Sequence, residues 1–197
     1  MTLTVAELWE TGVLSLRDPR KGAQRVLDWR LPKKAIGPFV GLSAIASTLS
    51  AEISSMMNPL PDGAQGTYVN TLHLPLIFAA TLAVMAWSIV SIGRRFGGTG
   101  GFQNTILLLS WQQVLSSAGI LAFTVIGLFS TAMAMAVFLA FGLYLIWVTA
   151  NFTAVVHGFP KIGAPLFITI AGLLIGAAFN LFLLNLFGVS FVQGELS

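Results

Sequence analysis

Five side chains could carry chemistry within the apolar stretches of this sequence: Glu52, Gln112, Gln113, Asn151 and His157. A carboxylate, an imidazole and amides in hydrocarbon are groups that pass a proton or hold a cation, and ionisable residues there are functional candidates by default. Asn and His are also costly in lipid unless another helix or water takes their hydrogen bonds. The cluster therefore has two readings, a proton or cation route between spans, or hydrogen-bonded contacts that fasten helices together. Nothing catalytic joins it. The chain has no Ser-His-Asp set, no His-Glu-x-x-His, no cysteine and no paired carboxylates within a span, so neither an enzyme nor a metal or cofactor site is expected. The two histidines, His73 and His157, fall at opposite ends of the spans and could not share a metal. Haem ligation by one of them stays open beside the commoner reading of a hydrogen-bonded or interfacial histidine.

What must position these groups is a membrane domain. Of 197 residues 56% are hydrophobic and only 9% charged, with a mean hydropathy of +0.86, far from the soluble average of about a quarter charged. Five apolar segments, near Ile36–Met57, His73–Ile92, Phe102–Leu128, Ala132–Val156 and Ala164–Phe187, each approach or exceed the roughly 20 residues that cross a bilayer. The expected fold is an all-α membrane protein of five spans over residues 36–187, preceded by a basic amphipathic segment over 1–35 and followed by a tail over 188–197. The first 30 residues lack the short apolar core and cleavage site of a secretory signal, so the N-terminus is expected to be retained.

The formal charge of +3 is unevenly placed. Arg17, Arg20, Lys21, Arg25, Arg30, Lys33 and Lys34 precede the first span, and Arg94, Arg95 and Lys161 lie in the loops after the second and fourth. The loop Asn58–Leu72, the turn Phe129–Thr131 and the tail after Phe187 carry no cation. By the positive-inside rule the N-terminus is inside and the C-terminus, with Glu195, outside. Within the basic segment Thr4 and Glu7 have capping-box spacing and open a helix to Leu16, on which Val5, Leu8, Trp9, Val13 and Leu16 share a side. Asp18-Pro19 then starts a second helix that ends near Arg30. This pair, with Trp9 and Trp29, would lie on an anionic membrane surface, each cation contributing about 1 kcal/mol. The bland alternative is a pair that packs under the bundle.

Ser43, Ser47, Ser50 and Ser54 recur on one face of the first span, where small hydroxyls allow close helix approach. Glu52 points elsewhere, about 24 Å along the helix from Ile36. Thr105, Ser110, Gln112, Gln113, Ser116 and Ser117 make half of the third span polar, so that half must face other helices or a wet cavity, with Asn151 and His157 as candidate partners. In the fifth span Gly172 and Gly176, with Asn180 one step on, permit close crossing within one bundle or between two copies. The loop from Gly93 to Gly101 lacks the strand and the terminal Lys-Ser or Lys-Thr of a phosphate loop. Its arginines are read as topology and headgroup contacts, and its glycines as flexibility.

The fourth span ends Asn151-Phe152 and then His157-Gly158-Phe159. With Asp18-Pro19-Arg20 and Leu31-Pro32 before the first span, and Trp111-Gln112-Gln113 within the third, this resembles bacterial members of the Yip (Ypt-interacting protein) family. The resemblance implies five spans, a cytosolic N-terminus and a role in organising membranes or membrane-protein partners. Eukaryotic members are associated with small prenylated GTPases and carry a longer N-terminal region, so GTPase binding is not carried over. The expected setting is a bacterial inner membrane, multi-pass, with anionic lipids of the inner leaflet and another membrane protein or a second copy as partners, and no nucleic acid. The alternative is a small transporter or channel with a polar route between spans 1, 3 and 4. The first reading makes Arg20, Lys21, Arg25 and Lys33 matter more than Glu52, and the second makes Gln113→Leu or His157→Ala abolish flux.

Overall fold

Each helix begins and ends where local chemistry dictates. In the computed structural model, which describes residues 4–57 and 73–187, Thr4 caps α1 (Val5–Arg17): its Oγ1 accepts from the Glu7 amide at 3.2 Å, and Glu7 Oε2 accepts from the Thr4 amide at 2.8 Å. The Thr4 backbone bond, seconded by its hydroxyl, holds the Glu7 carboxyl below its usual range. Asp18 ends α1 and caps α2 (Pro19–Leu27), accepting from the Lys21 amide at 3.2 Å, with Pro19 at the first helical position. α2 stops at Leu27 and not near Arg30, because the Trp29 and Arg30 amides bond three residues back to the Val26 and Leu27 carbonyls, and Arg30, at φ +45°, then turns the chain before Pro32. The loop Asn58–Leu72 and the tail with Glu195 lie outside the described residues.

Five long helices follow: α3 (Lys33–Met57), α4 (Leu74–Arg95), α5 (Phe102–Gly127), α6 (Thr131–His157) and α7 (Gly163–Leu186). Each is long and apolar enough to cross a membrane, and their ends fall within about three residues of the expected spans. The first begins at Lys33, so Lys33 and Lys34 lie in its opening turn. Among the described residues there is no strand.

α5 is the centre of the bundle, in contact with α2, α3, α4 and α6. Leu107, Leu108, Trp111 and Leu115 meet Ala23 and Val26 of α2, Trp29 just beyond it, and Val148 and Phe152 of α6. On its other side Ile106 and Leu109 join Val40, Leu82, Met85, Ala86 and Ile89, with Ile168 of α7. Both apolar clusters lie toward the end of the bundle where the cations gather, called here the basic end. Toward the opposite end α5 and α6 touch each other, Phe123 stacking edge-on with Phe138 and Phe141, while Met133, Met135, Phe138, Leu139 and Leu143 are exposed. Such a surface suits lipid and not water.

Gly172 and Gly176 face α4 in the same chain, where Cβ atoms would press on Ile89 and Met85, and Asn180 Nδ2 donates to Thr81 Oγ1 of α4 at 3.1 Å. The small-residue pattern is thus satisfied inside one bundle.

Candidate functional site

The polar side chains of the spans sit at separate levels and bond in pairs. Gln113 Nε2 donates to Ser47 Oγ at 2.7 Å, and Ser47 Oγ is 3.1 Å from Ser117 Oγ. This is where the serine stripe meets the polar half of α5: Ser43, Ser47 and Ser50 are buried, and Ser54 is half-buried. Thr149 Oγ1 donates to Gln112 Oε1 at 2.6 Å, tying α6 to α5. Thr153 and Thr169 pair their hydroxyls at 3.0 Å between α6 and α7. Glu52 stands half-buried five residues beyond Ser47, about 7.5 Å further along α3. The five expected residues do not converge on one site: Gln112, Gln113, Asn151 and His157 bond at different levels, and Glu52 lies further along α3. Gln113→Leu is expected to lower stability by about 0.6–2 kcal/mol, read from the thermal midpoint of the purified chain.

Asn151 is not a partner of α5. Its Oδ1 accepts from Arg20 Nε at 3.2 Å, and Arg20 also donates to the Pro160 carbonyl at 3.2 Å. Arg20, expected at the lipid surface, therefore turns inward and fastens α2 to the end of α6. Arg25 too is paired, with Glu10 at 2.8 Å across the α1–α2 hairpin. Lys21 pairs with Asp18 at 3.0 Å and stays mostly exposed, where such a bridge is worth little. Lys21 holds the Asp18 carboxyl below its usual range. Arg17, Arg30, Lys33, Lys34, Arg94 and Arg95 are exposed.

The hairpin lies along the flank of α5 and α6 and not beneath the bundle. Trp111 Nε1 donates to Ser15 Oγ at 2.9 Å, and the Tyr144 hydroxyl donates to the Leu16 carbonyl. From Tyr144 to the end of α6 is about 20 Å. Trp29, expected at the surface, is only 7% exposed and meets Trp111 edge-on at 5.2 Å. At about 100° per residue α1 presents three sides. Thr11 and Ser15 are buried, their hydroxyls bonded one turn back to Glu7 and Thr11. Glu7, Glu10 and Arg17 form a charged side. Between them, Val5 and Trp9 are 84% and 75% exposed, with Val13 and Leu16 half-buried beside them. α1 thus has protein on one side, charge on another and an exposed indole between them.

His157 is 2% exposed and enclosed by the loop read as flexible. The Gly100 amide donates to its Nδ1 at 3.1 Å, the Thr99 amide donates to its carbonyl at 3.2 Å, and Phe159 stacks on the ring at 5.7 Å. Cβ atoms on Gly93, Gly98 and Gly100 would come within 2.3, 2.5 and 2.6 Å of ring atoms. The glycines are there for contact with an imidazole. Gly158, at φ +73°, ends α6 beside it. Ser15, Tyr144 and these three glycines were not singled out from sequence as contact residues. The signal for the glycines was available, since topology places both loops at one end. Among the described residues no three His, Cys, Asp or Glu side chains group as metal ligands.

These features define a class, a multi-pass helical membrane protein with an N-terminal hairpin docked on its flank. The Yip1 domain model matches residues 13–189, nearly the whole chain, and the chain belongs to that family. No curated protein and no solved structure matches it.

Proposed function

We propose a non-enzymatic protein of the bacterial inner membrane, N-terminus inside and C-terminus outside, that works by contact: it organises lipid or serves as partner or subunit of another membrane protein. The observation that carries this reading is the three-sided α1, which offers Val5 and Trp9 outward while its other sides hold charge and bundle. The exposed cations Arg17, Arg30, Lys33, Lys34, Arg94 and Arg95 at the same end suit anionic headgroups. The ending His157-Gly158-Phe159 supports the bacterial assignment through its resemblance. The transport alternative gains little, since Gln112, Gln113 and Asn151 bond to Thr149, Ser47 and Arg20. A void of about 10 Å³ between α5 and α6, lined by Thr105, Leu108, Leu109, Phe152, Thr153 and Val156, has room for one water.

Two measurements test it. In a chain with Trp87 and Trp147 replaced by Phe, Trp9 is the exposed indole that remains beside the buried Trp29 and Trp111. Lipids brominated near the glycerol end of their chains are expected to quench it more strongly than lipids brominated near the tail, and more strongly than aqueous acrylamide. Dominant acrylamide quenching would remove the membrane contact. Gentle extraction from native membranes, followed by mass spectrometry of the intact assembly, is expected to retain a second protein or anionic lipid. Cation or proton flux in liposomes that is lost in Gln113→Leu with folding intact would instead establish the route.

A further inference from the structure

We propose that His157 is a proton-operated latch, whose neutral ring holds the α4–α5 loop against the end of α6 and whose protonation releases it. The chemistry starts from the direction of one hydrogen bond. Because the Gly100 N–H donates to Nδ1, that nitrogen must carry a lone pair. The ring is therefore neutral, with its hydrogen on Nε2. Nε2 is buried and has no hydrogen-bond partner among the described residues. A second proton can go only to Nδ1, where it turns the Gly100 bond into two opposed donors. The cation would then hold two buried N–H groups without acceptors, a costly state.

The surroundings give the cation no relief. Arg94 adjoins Gly93 in α4 and would bear the same charge as the protonated ring. The opening turn of α5 carries Gln103 and Asn104, which are neutral, and the α6–α7 turn carries the exposed Lys161. From α2 comes Arg20, bonded to the Pro160 carbonyl. Among the described residues no carboxylate pairs with the ring. Only the carbonyl end of α6 favours positive charge there. With three glycine backbones in contact, the ring cannot turn toward water unless the loop moves. The Thr99 amide also bonds to the His157 carbonyl, while the Gly97 and Gly98 amides bond back to the Arg94 and Gly93 carbonyls of α4. Protonation therefore frees residues 97–101 and, with them, the start of α5.

The test uses the full chain in lipid nanodiscs. Nitrogen-15 histidine spectra at neutral pH, with His73→Gln to leave one signal, are expected to show the neutral Nε2–H tautomer. Hydrogen exchange at Gly97–Gly101, corrected for intrinsic pH dependence, is expected to rise about tenfold per pH unit once His157 titrates. His157→Gln is expected to remove that rise. Arg94→Gln, which leaves the cage intact, is expected to move it to higher pH by easing protonation, so the inference stays testable if His157→Gln misfolds. An Nδ1–H tautomer, a ring already cationic at neutral pH, or loop exchange that stays flat from pH 8 to 5 would each overturn it.

Discussion

Replacing Gly93 by alanine is expected to destabilise the protein by about 1–3 kcal/mol, the range for overpacking a filled interior. The sign runs against helix propensity, by which Gly→Ala within a helix stabilises by about 1 kcal/mol. Packing decides. The added Cβ would lie 2.3 Å from Cε1 of His157, 2.6 Å from Nε2 and 2.8 Å from Nδ1. An exposed ring would swing aside, but this one is closed in by Gly98 and Gly100 and tied at Nδ1. Gly142 of α6 provides the contrast, since nothing lies within 4 Å of its Cβ position, and alanine there is expected to be neutral or stabilising. The thermal midpoints of the two variants should therefore move in opposite directions. Adding His157→Ala to Gly93→Ala should recover part of the loss, because the two side chains compete for one space. If Gly93→Ala matches Gly142→Ala, the cage is looser than the contacts imply.

The spans were legible because their signal is one-dimensional. Length, apolarity and a break such as Gly158 are properties of a single helix, and so are the Thr4–Glu7 and Asp18–Pro19 starts. Partnership was not legible, because a polar residue in a span announces only that it needs a partner. Asn151 was assigned to α5 on composition, yet Arg20, 131 residues away in sequence, reaches it. That choice depends on where the hairpin docks, which is fixed by Trp29, Trp111, Ser15 and Tyr144 together. The loop at Gly93 failed in another way: glycine signals flexibility and close contact alike, and only the neighbour decides between them. At Gly93 the neighbour is an imidazole.

Trp111→Ala is expected to cost about 3–5 kcal/mol, the largest single effect in the chain, and to loosen the N-terminal hairpin. Trp111 is 3% exposed at the junction of α1, α2 and α5, with Trp29 edge-on at 5.2 Å and Ser15 Oγ at 2.9 Å. Truncation removes a ring that touches both hairpin helices, whereas the bonds made by Tyr144 and Arg20 grip the hairpin at its margins. Trp111→Phe separates packing from hydrogen bonding. It keeps most of the ring and leaves no orphaned hydroxyl, since Ser15 Oγ still donates to the Thr11 carbonyl at 2.7 Å. Its cost is expected to be only about 0.5–1.5 kcal/mol. Trypsin reads the difference directly, because Arg17, Arg20, Lys21 and Arg25 all lie on the hairpin. Cleavage there should accelerate strongly in Trp111→Ala and little in Trp111→Phe. A freed hairpin should also lose the fixed depth of Trp9, so the preference for bromine near the glycerol end should fade in the alanine variant alone. If cleavage and quenching are both unchanged in Trp111→Ala, the hairpin is held to the membrane by its own apolar side, and its dock on α5 is secondary.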